Sequence, residues 1–295
     1  MKKIILVLFI AYLPGVAFSQ HGDIPVIVTT DTSKIDLKNF AEQAVKDAPT
    51  NILKAKALLN WLSTSFAWTA TDYQNRTVKE IIVRKGGNCF ELAKVYMALI
   101  NELGLRYRAI AEIQLYTPSE TREQTSENKI KEAGNKMSVF GYQHNDHRWV
   151  EVYDDENAQW IPVDPTMNLI GMEQWLKARA WFGERHSLND DISKSMIAPF
   201  GIFVVNRSNK SIMEEDRTSY YMVSALNTLY NDRLSKLSSW SEWIRSLQRL
   251  SPLAKDAFQG KINLHEHEKE IEEFRIIYER LKKELENQVS VNLHN

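Results

Sequence analysis

The chain has 295 residues, 43% hydrophobic and 25% charged, enough to bury the core of one large domain or two modest ones and inconsistent with wholesale disorder. Its 37 basic and 38 acidic side chains leave a net charge of -1, which gives no electrostatic reason to expect nucleic acid or an anionic membrane as a partner. At the N-terminus, Lys2 and Lys3 precede an apolar run over residues 4–16, and Ala17 and Ser19 place small residues where a signal peptidase reads. This layout predicts a signal peptide over residues 1–19, cleaved between Ser19 and Gln20, and a secreted or periplasmic protein. The run is shorter than the roughly 20 residues a helix needs to span a bilayer, so no integral membrane segment is expected once it is removed. Cys89 is the only cysteine. A lone thiol in an oxidising compartment forms no internal disulfide and is a liability unless buried or used.

A short strand is expected at 24–29. A first helix begins near Asp36 or Lys38, with Leu37, Phe40, Ala41 and Ala44 at helical spacing. A second carries Ile52, Ala55, Leu59, Leu62 and Phe66 on one stripe, starting at Pro49-Thr50-Asn51. Thr77 and Glu80 have the spacing of a capping box and open a short helix to Val83. Gly86-Gly87 should break it, and Asn88-Cys89 should open a largely buried helix ending near Leu103, with Gly104 as its C-terminal cap. Strands are expected at 107–115, 148–153 and 159–163, the last two joined by a turn over Asp154, Asp155, Glu156 and Asn157. In the second strand Trp149, Glu151 and Tyr153 face one side, and Val150 and Val152 the other. The polar stretch 117–136 reads as an exposed insertion. Residues 219–250 and 265–287 read as helical. Ile271, Phe274, Tyr278, Leu281 and Leu285 form the stripe of an antiparallel hairpin or short coiled coil. Such a stripe commonly packs on its own domain, although it could also hold a protein partner.

The chemistry gathers at Cys89, His147 and Asp164. A thiol attacks a carbonyl carbon only as thiolate. A helix N-terminus, a histidine within hydrogen-bond reach and a carboxylate orienting that histidine all favour this form. Cys89 opens a helix after two glycines, His147 starts one strand and Asp164 ends the next. A hairpin through residues 154–157 would bring the last two to one edge of a sheet. Each residue alone has an ordinary reading: a buried small hydrophobe, a capping histidine, a turn aspartate before Pro165. Only the joint pattern is specific.

The segments Cys89-Phe90-Glu91-Leu92-Ala93, His147-Arg148-Trp149-Val150-Glu151-Val152 and Trp160-Ile161-Pro162-Val163-Asp164-Pro165-Thr166 resemble, in this order, the cysteine, histidine and aspartate segments of the transglutaminase-like superfamily. The resemblance spans roughly residues 50–170. It implies an α+β, papain-like fold with the cysteine helix packed on an antiparallel sheet, followed by a C-terminal helical hairpin. It also implies acyl chemistry through a Cys89 thioester, with His147 as base and then acid and Asp164 as orienter. The family includes peptidases, deamidases, crosslinkers and inactive relatives. The expected activity is therefore a peptidase or amidase type of hydrolysis, with protein crosslinking or a non-catalytic binding module as alternatives.

The chain is divided as signal peptide 1–19, transglutaminase-like domain 20–210 and C-terminal helical region 211–295. The expected partner is a peptide or protein substrate, cell-wall peptide among the candidates, with no cofactor. Trp149 and Asn88 are weak candidates for contacting it. The backbone N–H of Cys89 is the natural first oxyanion donor, and Trp68, Asn88 and Tyr142 are guesses for the second. The segment 84–92 also resembles arylamine N-acetyltransferases, but the aspartate segment fits them less well and export would remove coenzyme A. His144, Asp146 and His147 match no established metal-ligand spacing, and His265 and His267 point apart on a helix, so no metal is expected. Asn75-Arg76-Thr77 and Asn206-Arg207-Ser208 fit the glycosylation pattern.

Overall fold

The computed structural model describes residues 31–69, 74–115, 146–180, 197–205 and 213–292. The leader, the strand expected at 24–29, the 117–136 stretch, Tyr142, His144 and the Asn206 sequon lie outside the described residues. Helices α1 (Leu37–Ala44), α2 (Asn51–Ser65), α3 (Val78–Arg84) and α4 (Cys89–Glu102) come first. Each has a side-chain cap. Asp36 accepts from Asn39 N, Thr50 from Leu53 N, Thr77 from Glu80 N and Asn88 from Glu91 N. Such a cap satisfies one of the orphan N–H groups of the first turn and contributes about 1 kcal/mol. Two-residue strands β1 (Ala67–Trp68) and β2 (Gly86–Gly87) pair in parallel between these helices.

The rest of the framework is one antiparallel sheet. It contains β3 (Tyr107–Leu115), β4 (Asp146–Asp154), β5 (Gln159–Asp164), β6 (Leu169–Ile170), β7 (Ile197–Val205) and β8 (Met213–Asp216), in the order β6-β5-β4-β3-β7-β8. The β4–β5 hairpin pairs Val150 with Val163 and Asp154 with Gln159. Asp154 Oδ1 accepts from the backbone of Glu156 (3.0 Å) and Asn157 (3.4 Å), which closes the turn. Helix α5 (Met172–Ala180) follows β6.

Alternation within β4 splits the core as the strand pattern requires. Val150, Val152 and Val163 pack with α1 to α4, around Leu58, Leu59, Tyr96 and Leu99. The Tyr96 hydroxyl donates to Ala55 O (2.8 Å), tying α4 to α2. The second core joins Trp149, Trp175 and Tyr221 to β7 and to helices α7 (Trp240–Phe258) and α8 (Glu268–Asn292). The architecture is therefore α+β, an antiparallel six-stranded sheet carrying the cysteine helix and closed by a C-terminal helical pair.

Two stretches differ from the sequence expectation. Residues 219–250 are not one helix. Tyr220–Ala225 winds as a π-helix, α6 (Leu226–Leu229) continues it, and Asn231 and Asp232 at φ 52° and 60° end the run before α7. Pro252, which reads as a stop, lies inside α7 on an exposed face. Strand β7 has no counterpart in the expectation; Pro199 and Gly201, residue types that seldom occupy strand interiors, lie within it. A register irregularity beside Pro199 accommodates it, and Gly201 lets α7 approach. A Cβ at Gly201 would sit 2.6 Å from Ala254 Cβ.

Candidate active site

The cysteine turn is built from local rules. Helix α3 ends with Lys85 in the left-handed conformation (φ 54°), so the reversal expected of the glycines is made by Lys85. Gly86 and Gly87 serve close approach instead. A Cβ on Gly86 would lie 2.8 Å from Ala67 O, and one on Gly87 2.7 Å from Glu91 Cβ. Asn88 caps α4 through Glu91 N (3.0 Å), and Glu91 returns a bond from Asn88 N (3.2 Å), a second capping box. Glu91 is only 3% exposed and also meets Arg76 (3.0 Å) and Arg84 (3.3 Å). Cys89 is therefore the first helical residue of α4, half-buried, where the unpaired N–H groups and the helix dipole favour negative charge.

The histidine and aspartate come from the hairpin edge. His147 lies near the start of β4 and Asp164 ends β5, and both are 0% exposed. The His147 Nε2–H donates to Asp164 Oδ2 at 2.7 Å. The other oxygen, Oδ1, accepts from the backbone of Thr166 (3.0 Å) and Met167 (3.3 Å), so the carboxylate is held on both sides. The imidazole is electrostatically coupled to Cys89, and its Nδ1 makes no hydrogen bond among the described residues. Burial pulls the imidazole pKa down, but the Asp164 carboxylate and Cys89 outweigh it and raise it to about 10. The Asp164 carboxylate therefore favours the protonated imidazole near neutral pH.

The weaker candidates fare differently. Trp149 is fully buried, packs edge-on against Tyr221 (5.4 Å) and donates its indole N–H to Glu112 (2.8 Å). That is core packing. The side-chain oxygen of Asn88 is engaged in the helix cap. Trp68 lies in β1 beside the glycines that precede Cys89 and packs on Met167, Leu169 and Ala178, with its indole nitrogen buried. Arg179, Glu112 and Gln114 form a buried polar group beside the site that sequence reasoning missed, because no local pattern joins β3 to α5. Glu91 was missed although Asn88-x-x-Glu91 has capping-box spacing. Among the described residues, no group of three or more His, Cys, Asp or Glu could hold a metal ion.

Residues 38–165 match the family model of the transglutaminase-like superfamily, so this part of the chain carries a transglutaminase-like core. A comparison with curated proteins gave no match. Among solved structures, the chain is similar to a protein of Cytophaga hutchinsonii provisionally named a cysteine protease, at 17% identity and a TM-score of 0.32 over 46% of this chain and 37% of that one. It is also similar to a protein of Parabacteroides distasonis provisionally named a protease, at 10% identity and a TM-score of 0.29 over 44% of this chain and 26% of that one. A chain of the Rad4–Rad23 structure bound to a 6-4 photoproduct UV lesion matches at 13% identity and a TM-score of 0.33, over 79% of this chain and 53% of that one. The matches thus span less than two thirds of each of these proteins, and likenesses this distant carry no argument about activity.

Proposed function

We propose, from the transglutaminase-like core as premise, that the protein is an exported cysteine hydrolase of peptidase or amidase type. One observation carries the reading: a fully buried His147–Asp164 pair at 2.7 Å, on a hairpin whose β4 strand packs against the helix that opens with Cys89. In the proposed reaction the Cys89 thiolate attacks a peptide or amide carbonyl. The backbone N–H of Cys89 and a second donor, for which Trp68 is the best-placed candidate, receive the developing oxyanion. His147 gives its proton to the departing amine, leaving a thioester on Cys89. It then takes a proton from water, which attacks the thioester and releases the acid. Asp164 keeps the imidazole in the required tautomer throughout.

Export by cleavage between Ser19 and Gln20 belongs to the same proposal and is checked by N-terminal sequencing of protein recovered from outside the cytoplasm. The decisive experiment combines iodoacetamide labelling of Cys89 across pH with hydrolysis of fluorogenic peptide libraries. Fast labelling well below pH 8 that collapses in His147→Ala, together with hydrolysis lost in Cys89→Ala, supports the reading. An unperturbed thiol reacts appreciably only near its ordinary pKa of about 8.5. Labelling confined to that range and indifferent to His147 rejects the reading. Amine incorporation into a glutamine-containing protein in place of hydrolysis redirects it to crosslinking.

A further inference from the structure

Behind the catalytic hairpin lies a charged pair that the proposed reaction does not use. Arg179, near the end of α5, is 0% exposed, and so is Glu112 in the middle of β3. The two form an ion pair. Arg179 Nη2 also donates to Gln114 Oε1 at 2.6 Å, and Nη1 lies 4.0 Å from Met167 Sδ. Glu112 is held from its other side by the Trp149 indole (2.8 Å).

Both anchor points lead to the site. Glu112 is the cross-strand partner of His147 in the β3–β4 ladder, and directly opposed residues share one face of a sheet. The backbone N–H of Met167 is one of the two donors that fix Asp164 Oδ1 (3.3 Å). Arg179 therefore bridges β3, the strand paired with the one that carries the imidazole, and the turn that holds its carboxylate. Its Nε makes no hydrogen bond among the described residues. A buried charged pair seldom stabilises more than apolar packing of similar volume, so stability alone is a poor reason for an arginine here.

Resting on the cysteine-hydrolase reading, we propose that Arg179 is the positioning residue of this site, clamping β3, which pairs with the His147 strand and binds its Trp149, to the Asp164 turn through Glu112, Gln114 and Met167. Arg179 touches no substrate. It acts through His147 and Asp164.

The test is the ratio of Cys89 iodoacetamide labelling at pH 6 to that at pH 9 in the full chain, measured beside the thermal midpoint. In Arg179→Met the pH 6 rate should fall about tenfold, the effect of one pKa unit, and Arg179→Lys should recover most of it. Should Arg179→Met fail to fold, the double variant Glu112→Gln/Arg179→Met carries the same test. It leaves no unpaired charge and keeps an acceptor for Trp149, and the same fall is expected. A lowered thermal midpoint with an unchanged labelling ratio overturns the inference and makes Arg179 a structural residue only. Fast pH 6 labelling in the wild type that is lost in His147→Ala keeps the hydrolase reading standing whatever Arg179 does. Slow wild-type labelling removes both.

Discussion

The two ends of the structure bury opposite kinds of side chain. Around the catalytic hairpin and cysteine turn, Glu91, Glu112, His147, Asp164 and Arg179 are all taken out of water. Across the α7–α8 contact the buried set is Trp243, Leu247, Leu250, Phe274, Tyr278, Leu281 and Leu285, with Trp243 stacked on Phe274 at 4.7 Å. Apolar burial contributes about 1.5–3 kcal/mol per large side chain, whereas a buried charge costs free energy unless every partner is in place. The difference separates the tasks. The C-terminal pair supplies stability, and the charged half spends some of it on a fixed arrangement of Cys89, His147 and Asp164.

The comparison can be broken most sharply at Cys89. Cys89→Ala should reduce turnover by about 10⁴-fold, the scale of losing one member of a catalytic triad, with an unchanged thermal midpoint. A marked stability loss would mean that the thiol is a packing element. At the other end, Phe274→Ala should cost about 3–5 kcal/mol as it opens a cavity under Trp243. Denaturant unfolding reads this cost, while the pH profile of Cys89 labelling stays where it was. A shifted profile would join two regions that the comparison keeps apart.

pH provides a third probe. The folded-state pKa of His147, about 10, lies above the ordinary histidine value of 6.5. Its contribution to stability is then fully present below pH 6.5 and is lost as pH rises toward 10, on the order of a few kcal/mol. His147→Gln should flatten this slope in urea melts at pH 6, 8 and 10, and Phe274→Ala should leave the slope intact. Glu91→Gln, which discharges the partner of Arg76 and Arg84, should cost about 1–3 kcal/mol and slow labelling. The smallest effect is expected for Thr77→Ala, about 1 kcal/mol from a lost cap, with labelling unchanged.

Much of this was readable along the chain. Period-2 alternation around Val150 and the turn at Asp154 predict the hairpin that the register confirms. The Thr77 capping box, the buried α4 and the C-terminal stripe obey local rules of spacing and capping in the same way. Where two rules competed, the reading failed. Gly86-Gly87 reads as a flexible break, yet the left-handed residue is Lys85, and the glycines answer steric pressure from Ala67 and Glu91. Strand β7 is absent from the expectation, and the approach of Ala254 to Gly201 within it is a tertiary demand. Trp149, a weak candidate for substrate contact, is buried, since strand position fixes a side chain's face without revealing what covers that face.

The sequence by itself determined where the three candidate residues sit, because a thiol at a helix start and a histidine and aspartate at matching ends of a hairpin are arrangements of short range. It also determined the period of each element and most of the caps, which depend on neighbours three or four residues away. Only the tertiary structure decided the buried partners: Arg179 with Glu112 and Gln114, Glu91 with its two arginines, and Met167 at the back of Asp164. These contacts join side chains distant in sequence. Their strength depends on water being excluded around them, and that is a property of the packed sheet and helices rather than of any segment alone.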